Sequence, residues 1–273
     1  MRLVRLQSVI DFDGWRDAAR DLAEAGIPPE AVLWRVEGGD RDLFGEETNQ
    51  PSAPSFPVPR AFVALARSVI CHSDPERFAL LYTLLWRLRS DRRAIEDRAD
   101  PLIDRLERLA KEVRRDIHKM HAFVRFRPVH DGDAADPLHV AWFEPEHRIV
   151  EANAPWFRRR FANMRWAILT PERCVEWDGR QLFFRGGASR SEAPPADAGE
   201  QLWLTYYRSI FNPARLKLDM MRKEMPRRYW KNLPEAVLIE PLARRAAERS
   251  GQMVAQGGTL PARRRGAASL AMR

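Results

Sequence analysis

Residues 174–184 read CVEWDGRQLFF, and this stretch decides the class of fold. Two apolar runs, Cys174 to Trp177 and Gln181 to Phe184, flank Asp178-Gly179. Asp-Gly accepts the positive dihedrals of a tight hairpin turn, so the spacing predicts two antiparallel strands. Upstream, WAILT at 166–170 and LHVAWF at 138–143 read as further strands, and HAFVRFRPV at 121–129 as another. Alternation along that last segment would set Phe123, Arg125 and Arg127 on one face and Val124 and Phe126 on the other. The middle of the chain is therefore expected to be an antiparallel sheet of four or five strands.

The N-terminal side is helical in pattern. Leu3 to Ile10 alternates like an edge strand, Asp13 can cap a helix from Gly14 to Ala25, and Gly26 ends it. Ala31 to Val36 (AVLWRV) reads as a second short strand, followed by an irregular, acidic stretch from Glu37 to Pro59. Pro59 to His72 then carries an apolar stripe. Ser73 or Asp74 caps the next helix with Pro75 at its first position, and Asp100-Pro101 repeats that start signal. In the helix after Asp100, Leu102, Leu106, Leu109, Val113, Ile117 and Met120 follow steps of four and three. The opposite face carries Lys111, Arg114, Arg115, His118 and Lys119. The expected architecture is α+β, with several helices packed on the sheet. We expect one domain over residues 1–250, helix-rich at 1–122, sheet-rich at 123–185 and basic and helical at 200–250. Residues 251–273 read as a disordered basic tail or interdomain linker.

The 273 residues carry a net charge of +8, a balance that favours polyanionic partners. Cys71 and Cys174 are far apart and match neither zinc nor iron–sulfur spacing, which predicts a reduced cytoplasmic protein with no metal and no cofactor. The first residues lack the apolar run of a signal peptide or membrane helix, so no membrane association is expected.

Two basic clusters stand out. YYRSIFNPARLKLDMMRKEMPRRYWKNLPE at 206–235 holds eight cations against Asp219, Glu224 and Glu235. Its Arg222, Lys223, Arg227, Arg228 and Lys231 could track phosphates while Tyr229 or Trp230 stacks on an unpaired base. The second cluster combines Arg114, Arg115, Lys119, Arg125 and Arg127, and Arg158 and Arg159 add to it from WFRRRF at 156–161. His118 and His121, three apart, read as a structural or phosphate-contacting pair; with His147 they are the candidates for acid–base work. No Ser-His-Asp signature, Gly-rich phosphate loop or paired-carboxylate motif supports a particular reaction.

VRRDIHKMHAFVRFRPV at 113–129, WFEPEHRIVEANAPWFRRRF at 142–161, WAILTPERCVEWDG at 166–179 and YYRSIFNPARLKLDMMRKEMPRRYWKNLPEA at 206–236 together resemble a bacterial family of DNA-metabolism proteins. Members of that family are encoded beside a DNA-repair radical-SAM protein or fused N-terminally to a uracil-DNA glycosylase-like domain. The resemblance implies a DNA-repair context and one of those two partners, but supplies no catalytic residues. The chain lacks the cysteine triplet of the radical-SAM partner and the water-activating loop of the glycosylase. The expected function is a DNA-binding accessory module in repair. The alternatives are an enzyme acting on nucleic acid through a histidine, and a protein–protein adaptor docking through Trp156 and Phe157.

Overall fold

The computed structural model describes residues 1–36, 56–129, 136–195, 224–233, 236–241, 244 and 248. Two compact units divide the chain, Met1–Pro195 and Ala196–Arg273.

The first unit begins with strand β1 (Arg2–Leu6), helix α1 (Phe12–Glu24) and strand β2 (Val32–Val36). Asp11, not Asp13, caps α1: its carboxylate accepts from Gly14 N at 2.9 Å and also from Gln7 N at 3.1 Å. Gly26 closes the helix at φ 69°. Because α1 carries the chain back across, β2 pairs with β1 in parallel, with Leu3 opposite Leu33. This pair forms its own two-stranded sheet.

Helices α2 (Arg60–Ile70), α3 (Arg77–Leu88) and α4 (Pro101–Phe123) complete the first core. Trp15 sits at its centre, 1% exposed, its indole N–H donating to Phe78 O and its ring beside those of Phe12, Trp34 and Phe62. Asp100 caps α4 as expected, accepting from Leu102 N at 2.7 Å with proline at the first turn. Helix α3 starts two residues later than its cap signal implies, because Ser73 and Asp74 shape the loop before it.

The sheet has the strands β3 (Arg127–Val129), β4 (Leu138–Trp142), β5 (Trp166–Leu169), β6 (Arg173–Trp177) and β7 (Leu182–Gly186), in that order. The fold is α+β. All neighbours are antiparallel except β4 and β5, which run parallel because helix α5 (Val150–Arg160) crosses over between them. The Asp-Gly hairpin is present as a four-residue connection from Trp177 to Leu182. Gly179 takes φ 98°, and Asp178 folds the turn by accepting from Arg180 N and Gln181 N. After β7 the chain passes so close to the Pro171 carbonyl that any side chain at Gly187 would collide with backbone.

The segment 121–129 is shorter as a strand than its alternation implies. Helix α4 runs through Phe123, and only Arg127–Val129 pairs with β4. Phe123 therefore belongs to a helix end rather than to the face of Arg125 and Arg127. Among the described residues no helix is long and apolar enough to cross a membrane.

Candidate functional site

Two clusters gather the chemistry-bearing side chains of the first unit. One lies where the loop after α2 meets α4 and the loop before α5. His72 and His147, both buried, lie against each other with centroids 4.0 Å apart and planes tilted by 32°, and His72 Nε2 lies 3.0 Å from Glu112 Oε2. Asp74 N donates to His72 Nδ1 at 2.8 Å, so that nitrogen carries no proton. His72 therefore holds its proton on Nε2 and donates it to Glu112. Ser73 approaches His147 Nδ1 through both its amide and its hydroxyl.

His72, Glu112 and His147 bring ligand atoms within 4.8 Å of one another. A cation held by His72 Nε2 would require the opposite tautomer and would cost the Asp74 hydrogen bond. The local chemistry thus favours a hydrogen-bonded latch that satisfies loop amides before α3. Asp116 anchors the same loop from α4. Its carboxylate is 1% exposed and accepts from Glu146 N at 2.8 Å and from His147 N at 2.9 Å.

Burial, then the neighbouring His72 and Arg148, push the His147 imidazole down to about 4 from an ordinary 6.5, against an upward pull from Glu112. Folding is thereby linked to pH. The contribution is complete above pH 6.5, where both states are neutral, and is lost as pH falls towards 4, where only the unfolded chain takes up the proton. Wild-type denaturation midpoints should fall between pH 7 and pH 4.5, and His147→Gln should flatten that fall. An unchanged slope in the variant would assign the acid sensitivity to other groups.

The second cluster joins the end of α4 to α5. His121 stacks on Trp156 with centroids 3.8 Å apart and planes inclined by 16°. Asn153, 1% exposed, accepts from His121 Nε2 at 2.8 Å while its amide nitrogen donates to Met120 Sδ at 3.0 Å. That orientation leaves His121 Nδ1 as an unprotonated acceptor, with no hydrogen-bond partner among the described residues and not sealed from solvent. Burial, with His118 nearby, holds the imidazole below its ordinary value despite the Asn153 bond. Phe157 is buried beneath this step against Phe126, Phe161 and Trp166, so it is not the exposed docking residue that the adaptor reading required.

Cations rim this step. Arg158, Arg159 and Arg160 are exposed in the last turn of α5, where positive charge suits the carbonyl end of the helix. No ion pair engages any of the three among the described residues. Arg114, Arg115 and His118 are exposed on α4, with Arg114 3.7 Å from Glu107.

Other expected contacts fall elsewhere. Lys119 is only 4% exposed and lies over the Phe123 ring, so it leaves the exposed face assigned to it. Arg125 is half-buried and donates to the carbonyls of Ala122 and Val124, and Arg127 donates to Pro194 O. In the second unit, a 3₁₀ segment at Arg227–Asn232 exposes Arg227, Arg228 and Lys231. Tyr229 is 1% exposed and accepts from Arg228 Nη2, so its ring is not presented for stacking. Trp230 is half-buried, with its indole donating to Met225 O. Arg222 and Lys223 lie outside the described residues, as do most of the region expected to be basic and helical at 200–250 and the tail from Gly251.

His72, Glu112, Asp116 and Asn153 were not singled out in the sequence. Asp116 and Asn153 were detectable in principle, because each is a polar residue on the apolar phase of its helix. Asp116 lies three residues after Val113, and Asn153 four before Phe157.

Fold and site together define an α+β protein with a cation-rimmed aromatic step between two helices. A family model for a domain of unknown function, DUF4130, matches residues 75–235, more than half of the chain, and the chain belongs to that family. No curated protein and no solved structure matches it.

Proposed function

We propose that this chain is a DNA-binding accessory module of bacterial DNA repair. The observation that carries the reading is the exposed Arg158–Arg160 run beside the half-exposed His121–Trp156 step. Among the described residues these guanidinium groups have no carboxylate partner, which leaves them available to phosphates. The net charge of +8 supports the same partner class. The repair context and the radical-SAM or uracil-DNA glycosylase-like partner rest on the sequence resemblance, and a cytoplasmic location fits the two free cysteines, Cys71 and Cys174.

Fluorescence anisotropy with labelled single-stranded, duplex and uracil-containing DNA across a salt series tests the proposal. The expected result is micromolar or tighter binding at low salt, falling log-linearly with salt by about 0.7 to 0.9 per phosphate contacted. Absence of binding at low salt would remove DNA as the ligand. A histidine-dependent enzyme has one observation in its favour, the Asn153-held His121 with its open Nδ1. Turnover of a nucleic-acid substrate, lost in His121→Ala with binding intact, would establish it.

A further inference from the structure

We infer that the His121–Trp156 step is a stacking site for an unpaired base of single-stranded DNA. The inference rests on the DNA-binding reading and adds the place and the nature of the contact. In the same unit Trp15, Trp142, Trp166 and Trp177 are buried, whereas Trp156, like Trp34 and Trp86, is half-buried; of these three only Trp156 lies beside an exposed arginine run free of ion pairs among the described residues. Its stacking partner is an imidazole, a ring that tolerates water on its outer side and offers a π-face to a base.

The step is rigid. Asn153 fixes the imidazole plane from within the core, and Phe157 meets the indole edge-on at 4.9 Å. A rigid, pre-formed ledge loses little freedom when a base adds a third layer. His121 Nδ1 has its lone pair in the ring plane, at right angles to the stacking direction. It can therefore accept from a base N–H of an adjacent nucleotide, a donor that each of the four unpaired bases offers, without competing with the stack.

The cations complete the site. Arg159 and Arg160 follow Trp156 by three and four residues on α5, within one turn of the indole. Phosphates flanking a stacked base can thus be neutralised from α5. Stacking on a π-face is indifferent to base identity, so the site selects single-stranded over paired DNA rather than one sequence over another.

The test compares a labelled oligothymidylate with a strand of the same length made entirely of tetrahydrofuran abasic units, at one low salt concentration. Wild-type protein should bind the base-bearing strand about tenfold tighter. Trp156→Ala should abolish that preference while leaving the weaker, salt-dependent affinity for the abasic strand, and Trp156→Phe should retain most of it. Equal wild-type affinity for the two strands would overturn the stacking site and leave the electrostatic module standing. So would a preference that survives in Trp156→Ala. Failure to bind either strand would overturn both readings. The wild-type comparison needs no variant, so a folding defect in Trp156→Ala cannot hide the outcome.

Discussion

Asp116→Ala is expected to lower the free energy of unfolding by about 3–4 kcal/mol, since a hydrogen bond to a buried carboxylate contributes about 1.5–3 kcal/mol. Two such bonds converge on Oδ2, from the amides of Glu146 and His147. Alanine would leave the buried His147 amide without this acceptor where water does not reach, and the part-buried Glu146 amide without it nearer the surface. Urea denaturation monitored by tryptophan fluorescence measures the loss. Asp116→Asn keeps an acceptor oxygen in place and removes only the charge, so it should cost about half as much. The loop at 146–148 also carries His147, so the alanine variant should blunt the acid sensitivity described above. A loss below about 1 kcal/mol would mean that the loop finds other acceptors.

Reversing Arg158 and Arg159 together to glutamate is expected to weaken DNA binding by at least tenfold at low salt and to flatten its salt dependence. Each lost phosphate contact removes about 0.7 from the slope on a single strand and about 0.9 on a duplex. Both residues are exposed, but glutamates in the last turn of α5 oppose the helix dipole, so the substitutions should cost about 1–2 kcal/mol of stability. The slope separates a lost interface from a damaged fold, because partial unfolding lowers the active fraction without changing the number of phosphates engaged. An unchanged affinity and slope would move the interface to other cations, of which Arg227, Arg228 and Lys231 in the second unit are exposed.

Sequence periodicity placed α4, the Asp-Gly hairpin and strands β4 to β6 close to where they lie, because each is set by contacts or turn chemistry within a few residues. It overextended the strand at 121–129, since alternation continues through Phe123 although α4 has not ended. It also gave no sign that β4 and β5 run parallel, which depends on α5 crossing between them. The candidate site was legible in part. Arg158 and Arg159 were named and are exposed, whereas Tyr229, expected to stack on a base, is buried.

The amino-acid sequence alone determined the α+β class, the positive charge and the positions of the turn and capping residues, because these follow from composition and from interactions between near neighbours. Tertiary structure decided which polar groups meet. His72 comes from the loop after α2, Glu112 and Asp116 from α4, and His147 from the loop before α5; His121 and Asn153 join the ends of two different helices. Sequence separations of about thirty to seventy-five residues set no distance by themselves. Only the packing of α4 against its neighbours, driven by burial of its apolar face, brings these side chains within hydrogen-bonding reach.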